Sequence, residues 1–217
     1  MVRRTKEEAL ATREQLLDAA ERVFRARGVG HASLAEVADD AGVTRGAIYW
    51  HFKDKADLFQ AMLERAELPI DAALDAMATQ PLADPLAAVR ELALVAIRHL
   101  ACNARTQAVF DVVFLRCEYT AELETAQNRH LEERQECLSK VEAGLKQAIA
   151  KGQLAPDTDT RIAARGLYAF VGGLMRDWIQ SPKSYDLETA GPALVDLYIA
   201  GLRTSPPRVT GRSRKAR

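Results

Sequence analysis

Residues Ser33 to Lys55 read SLAEVADDAGVTRGAIYWHFKDK, two short helical patterns joined by a tight turn. Ser33 and Glu36 have the spacing of a capping box, so a helix is predicted to start at Leu34. Leu34, Val37, Ala38 and Ala41 give that helix one apolar side. Gly42 supplies the left-handed conformation that ends a helix at low cost, and Thr44 caps a new one. A short glycine-containing turn between two helices is how a helix-turn-helix presents its second helix to the major groove of DNA.

The second helix is expected from Arg45 to about Phe52. Ala47, Ile48 and Phe52 pack inward, which leaves Arg45, Tyr49, Trp50, His51 and Lys53 outside, together with Gly46, whose missing side chain permits close approach to a base edge or phosphate. Asp54 is a cap for a third helix with Lys55 in its first turn, and a helix N-terminus beside a lysine suits phosphate. The pattern alone leaves an alternative open, one more helix pair of an all-α core with solvated charges.

The wording of the stretch decides between them. The run LAEVADDAGVTRGAIYWHFKDKADLF resembles the DNA-binding domain of the TetR family, marked by a Gly-Val-(Ser/Thr) turn followed by Tyr-x-His-Phe-x-x-Lys. Here those residues are Gly42, Val43, Thr44, Tyr49, His51, Phe52 and Lys55. The preceding TREQLLDAAERVFRARG matches as well, with Leu16, Leu17, Ala20, Val23 and Phe24 on one face and Gly28 at the exit. The opening MVRRTKEEAL, the later FLRCEY at Phe114 to Tyr119 and GLMRDW at Gly173 to Trp178 are similar to the branch of that family that represses multidrug efflux pumps.

The resemblance implies an all-α protein with an N-terminal three-helix DNA-binding domain and a C-terminal helical domain that binds a ligand and dimerises. The expected divisions are a basic arm at 1–9, the DNA-binding domain at 10–66 with its motif at about 33–52, the body at 67–203, and a basic disordered tail at 204–217. Candidate DNA contacts are Arg3, Arg4 and Lys6 of the arm, then Ser33, Thr44, Arg45, Gly46, Ala47, Tyr49, Trp50, His51, Lys53 and Lys55. Charge agrees in placement rather than in bulk: residues 1–66 are balanced, 67–203 carry five more acidic than basic residues, and 204–217 carry five basic residues and no acid.

In the body the sequence shows no β pattern, and helices are predicted at roughly 55–78, 85–101, 104–116, 120–151, 158–180 and 187–203, with Pro85 opening its helix. A 55–78 helix would be shared by both domains. Leu167, Phe170, Val171, Leu174, Met175 and Trp178 form an apolar surface around Gly172 and Gly173, and Leu194, Leu197 and Tyr198 add to it. An intramolecular core would look the same. The resemblance and the two-fold symmetry of operators assign Phe170, Gly173, Leu174, Trp178, Leu194 and Tyr198 to a homodimer interface. By the same resemblance, effector contacts fall on Leu92, Ala93, Ala96, Phe110, Val113, Phe114, Cys137, Val141, Tyr168, Val171, Gly172 and Arg176. Phe110, Phe114 and Gly172 stand where related repressors often place Asn, His or Asp.

Other classes fit poorly. The four histidines lie in no metal or catalytic motif, and there is no nucleophile elbow or phosphate-binding glycine loop, so no catalytic residue, metal or cofactor is assigned. Cys102, Cys117 and Cys137 have no metal-ligand spacing and are expected to be free buried thiols. No apolar run approaches the ~20 residues that cross a bilayer, and no signal peptide opens the chain, so the expected location is the cytoplasm and no membrane partner is assigned. The expected function is a repressor that binds a palindromic double-stranded operator as a dimer and leaves it on binding a hydrophobic effector, with an efflux-pump operon as target. A metabolic or stress operon with another inducer is the alternative, followed by a structural all-α interaction protein.

Overall fold

The computed structural model describes residues 6–66, 68–118, 120–182 and 184–209. Ten α-helices account for most of them, with no strand among the described residues, as the sequence predicts. The chain divides into two compact units, Met1–Glu67 with Asn103–Glu132, and Leu68–Cys102 with Glu133–Arg217. The segment 103–132, expected in the body, thus groups with the helix-turn-helix.

In the first unit α1 (Lys6–Arg27) buries Leu16, Leu17, Ala20, Val23 and Phe24 along one face. It ends at Gly28, whose φ of 82° only glycine adopts readily. The expected capping box opens α2 (Leu34–Asp40): Ser33 Oγ accepts from the Glu36 N–H at 3.3 Å while the Ser33 N–H donates to the Glu36 carboxylate at 2.9 Å. That bonding holds the Glu36 carboxyl below its ordinary value, with Ser33 the largest cause. Gly42, at φ 68°, makes the turn, and Thr44 caps α3 (Arg45–His51) by accepting from the Ala47 N–H. Asp54 caps α4 (Lys55–Glu64).

Phe24 meets Phe59 edge-on, with ring centroids 6.2 Å apart, and Ile48, Phe52, Leu58 and Met62 complete a core without solvent. Arg22 joins Asp40 at 2.7 Å, fixing α2 on α1. Arg65, after α4, faces Glu14, Asp18 and Glu21 of α1, and burial raises the Glu21 carboxyl. α7 (Ala104–Asp111), a π-helical turn at Val112–Arg116 and a 3-10 turn at Ala121–Leu123 close the unit, placing Val109, Val112 and Leu123 in the same core.

A single helix over 55–78 does not form. α4 stops at Glu64, and α5 (Asp71–Thr79) begins beyond Pro69, which pushes the preceding residue out of helical conformation. A helix common to both units therefore cannot run through this stretch. The division instead falls inside α8 (Glu124–Ala150).

In the second unit α6 (Pro85–Cys102) opens on its proline and buries Leu86, Val89, Leu92, Ala93, Ala96, Ile97 and Leu100. Two glutamines of the α8 exit close the α5–α6 connection: Gln147 accepts from the Leu82 N–H and donates to Met77 O and Gln80 O, and Gln153 accepts from the Leu86 N–H. Asp159 and Asp186 cap α9 (Thr160–Gln180) and α10 (Leu187–Thr204). Arg90 of α6 pairs with Asp196 of α10 and lowers its carboxyl. The tail expected to be disordered from 204 is bonded over its first residues. The Asp159 N–H donates to Pro207 O at 2.7 Å and the Val209 N–H to Asp157 O at 3.0 Å. Arg212, Arg214, Lys215 and Arg217 lie outside the described residues.

α10 crosses α6 at Gly191, where an added Cβ would sit 2.8 Å from Ile97 Cγ2, on a fully buried β-branched side chain. Gly191→Ala should lower the melting temperature, because ~1–3 kcal/mol of overpacking exceeds the ~1 kcal/mol helix gain. Gly46→Ala, where the added Cβ meets nothing within 4 Å, should hold or raise it. Thermal unfolding followed by circular dichroism reads both.

Candidate functional site

α3 has seven residues, too few to persist on its own hydrogen bonds, so its face is set by what it buries. Ile48 is fully buried and Phe52, just after the helix, is 1% exposed, with Arg13 Cζ 5.2 Å from the Phe52 ring centroid. The opposite side is open. Tyr49 is 62% and Trp50 72% exposed, and Arg45, Gly46 and Lys53 are exposed beside them. Of the expected contacts, Thr44, Arg45, Gly46, Tyr49, Trp50 and Lys53 are thus exposed on α3 and at its ends.

The other expected contacts are placed differently. Ala47 is half-buried, and so is His51, whose ring lies 4.6 Å from that of Trp50 at 87°. Ser33 is exposed, yet its hydroxyl and N–H are both engaged with Glu36. Lys6 is exposed in the first turn of α1, whereas Arg3 and Arg4 lie outside the described residues. Lys55 is not on the open surface: its side chain is buried, and Nζ donates to Ala32 O at 3.0 Å and Gly30 O at 3.3 Å and pairs with Glu122 at 2.8 Å. The sequence suggests a phosphate contact because Lys55 stands beside a helix N-terminus, and nothing local signals a carboxylate 67 positions away.

The open surface offers what a major groove reads. The Arg45 guanidinium matches the guanine O6/N7 pair, Gly46 lets the helix approach, the Tyr49 and Trp50 rings suit thymine methyls and sugar, and Lys53 suits phosphate.

The residues expected around an effector are divided between the units. Phe110, Val113 and Phe114 belong to the first, where Phe110 and Phe114 pack with centroids 5.1 Å apart; Leu92, Ala93, Ala96, Cys137, Val141, Tyr168, Val171, Gly172 and Arg176 belong to the second. Of these Leu92 lines a cavity of about 260 Å³ between α5 and α6, otherwise walled by Pro69, Ile70, Ala73, Ala76, Met77, Leu82, Ala88, Glu91 and Val95. The sequence reasoning missed it; small residues at 73, 76 and 88 on facing helices were its available signal. Cys137 lines a second, more polar cavity of about 200 Å³ with Asp71, Glu133, Glu136 and Lys140. Arg176 is exposed and Tyr168 is partly so.

Phe170 and Tyr198, expected at a dimer interface, stack on each other within the subunit at 5.3 Å, and the Tyr198 hydroxyl donates to Ala163 O. Leu174, Trp178 and Leu194 are half-buried, Gly173 is exposed, and Ile162 and Leu197 stand 51% and 69% exposed on the same two helices. All three cysteines are free, but Cys102 is exposed rather than buried, its Sγ 2.8 Å from Glu188 Oε1. Burial pushes the Cys117 thiol up to about 11 and raises Cys137, and the Glu188 bond raises Cys102. Raised thiols favour the unreactive protonated form. Among the described residues no group of three His, Cys, Asp or Glu is placed to hold a metal, and no helix is long and apolar enough to cross a membrane.

Residues 16–62 match the family model for bacterial regulatory proteins of the TetR family, and residues 84–204 match that for the C-terminal region of MAATS-type transcriptional repressors. The chain is 39% identical over 206 residues to the HTH-type transcriptional regulator TtgR of Pseudomonas putida, covering 95% of this chain and 98% of that one. Its structure superposes on NalD, the secondary repressor of the MexAB-OprM multidrug efflux pump in Pseudomonas aeruginosa, with a TM-score of 0.83 at 35% identity, covering 92% of this chain and all of that one. It also superposes on a SmeT–triclosan complex with a TM-score of 0.76 at 30% identity, over 95% and 98% of the two chains. SmeT is the repressor of the Stenotrophomonas maltophilia efflux pump SmeDEF.

Arg45→Ala should cost about 1–3 kcal/mol on operator DNA and relax the preference at one base pair, whereas Lys53→Ala should weaken specific and random duplexes alike and reduce the salt slope by about one. Fluorescence anisotropy across a salt series, with a substituted-operator panel, separates the two.

Proposed function

From the premise that this chain belongs to the TetR family of bacterial regulatory proteins, we propose that it represses transcription by holding a palindromic operator as a homodimer, that a hydrophobic drug-like molecule releases it, and that its target is a multidrug efflux operon. The observation that carries the reading is the division of α3: Ile48 and Phe52 buried, Arg45, Tyr49, Trp50 and Lys53 open on the other side. A helix packed into an all-α core would not leave a tryptophan 72% exposed beside an arginine and a lysine. The relatives' efflux role supports the target: NalD and SmeT both repress such pumps.

A two-fold operator calls for a two-fold protein. α9 and α10 supply the apolar side chains for it: Ile162 and Leu197 are exposed, and Leu174, Trp178 and Leu194 are half-buried on the same two helices. Dimerisation is testable without disturbing the subunit. A Cβ at Gly173 meets nothing within 4 Å, so Gly173→Arg leaves internal packing intact while setting an unpaired charge in the interface. Sedimentation at micromolar concentration should give a dimer for the parent and a folded monomer with lost operator affinity for the variant. A monomeric parent would defeat the assignment.

The α5–α6 cavity, at about 260 Å³, lies just below the ~300–1,000 Å³ common to ligand sites, and its walls are apolar apart from Glu91. A small hydrophobic aromatic compound suits it, and the triclosan of the SmeT complex is of that kind. Linkage requires that an effector that lowers operator affinity binds less tightly by the same factor when operator is present, with about 1–3 kcal/mol of coupling for a working switch. Calorimetry with triclosan, flavonoids and dyes, with and without operator, should show that loss. Ala88→Phe should remove effector binding and leave operator binding unchanged. Compounds that bind equally well in both conditions would rule out the inducer model.

A further inference from the structure

Lys55 carries a buried charge in an expensive place. It occupies the first turn of α4, at the positive end of the helix dipole, with 5% of its side chain exposed. An ammonium has three N–H donors and no acceptor. All three are taken, by Ala32 O at 3.0 Å, Gly30 O at 3.3 Å and Glu122 Oε2 at 2.8 Å, so none is left for a phosphate.

The two carbonyls belong to the connection between α1 and α2, and the carboxylate belongs to the 3-10 turn ahead of α8. The same connection is held a second time, from the π-helical turn at Val112–Arg116. The Val29 N–H donates to Arg116 O at 3.0 Å, Val29 is fully buried, and a Cβ at Gly28 would lie 3.4 Å from that carbonyl. The connection at 28–32 sets the direction in which α2 leaves α1, and α3 follows α2 through one short turn. A clamp on this connection therefore aims the recognition helix.

We infer that Lys55 and Glu122 are positioning residues for operator recognition: the ammonium, neutralised by Glu122, fixes the α1–α2 connection and with it the angle of α3, and that ammonium contacts no phosphate. The inference rests on the operator-binding reading above. It has an unusual sign. Removing an acidic residue from a DNA-binding unit ordinarily strengthens binding, because repulsion from the phosphates is relieved. Removing Glu122 must weaken it, because the remaining partners of the buried ammonium are two neutral carbonyls, and the side chain then escapes to water and frees the connection.

The test uses the full chain with four variants, Glu122→Gln, Lys55→Met, Lys55→Arg and Glu124→Gln, the last an exposed acid two residues from Glu122. Anisotropy is measured on operator and random duplex over a salt series, and circular dichroism confirms that each variant is folded. Glu122→Gln should lose roughly tenfold on operator and little on random DNA. Glu124→Gln should bind as well as the parent or better. Lys55→Met should show the same selective loss with an unchanged salt slope, and Lys55→Arg should recover part of it. Glu122 is 55% exposed, so Glu122→Gln carries the test by itself should Lys55→Met fail to fold. Operator affinity undiminished in Glu122→Gln, or a salt slope lower by about one in folded Lys55→Met, overturns the inference. A parent that binds no duplex defeats instead the operator-binding reading, and this inference with it.

Discussion

Everything the DNA-facing surface offers depends on the burial of Ile48 and Phe52. A seven-residue helix gains too few internal hydrogen bonds to offset its own nucleation, so α3 exists because the core of α1, α2 and α4 accepts those two side chains. Burying them at the same time decides which residues remain outside. The apolar anchor and the polar reading face are one constraint seen from two sides. Arg45 and Tyr49 need no partner inside the protein to be held in place; the rigidity is supplied from beneath.

The anchor fixes α3 against its own three-helix core, but the core still has to be closed. Here the chain uses a segment remote in sequence. Val109, Val112, Leu123 and Ala126 join the cluster of Phe24, Phe52 and Phe59, and Arg65 gathers three carboxylates of α1 around the end of α4. The DNA-binding unit is thus a local motif completed by non-local packing, and electrostatics at its seams are matched rather than neutral. Cations such as Lys55 and Arg65 sit where they are costly unless their partners stay put, which makes the unit sensitive to small displacements of those partners.

What the sequence made legible was what local chemistry determines. The Ser33–Glu36 box, the Gly42 turn, the Thr44 and Asp54 caps and the inward Ile48 and Phe52 follow from spacing over a few residues, and the structure has each of them. Pro69 stands inside the predicted 55–78 helix, and it marks in the sequence the break that the structure has there. The membership of 103–132 in the first unit, the burial of Lys55 and the exposure of Cys102 rest on contacts between distant positions, to which periodicity is blind. The effector residues illustrate the same limit. Small side chains in α5 and α6 are visible in the sequence, but the void they leave depends on how those helices meet.

The central claim is that two copies of this chain read one DNA site through α3. Hydroxyl-radical footprinting on the DNA flanking its own gene tests that most directly. The account predicts two protected patches related by a two-fold axis, about 34–36 Å or a multiple of it apart, and their loss when Ile48 is replaced by a charged residue that cannot be buried. A uniform weak protection along the fragment, or a single patch without a symmetry mate at saturating protein, would contradict it.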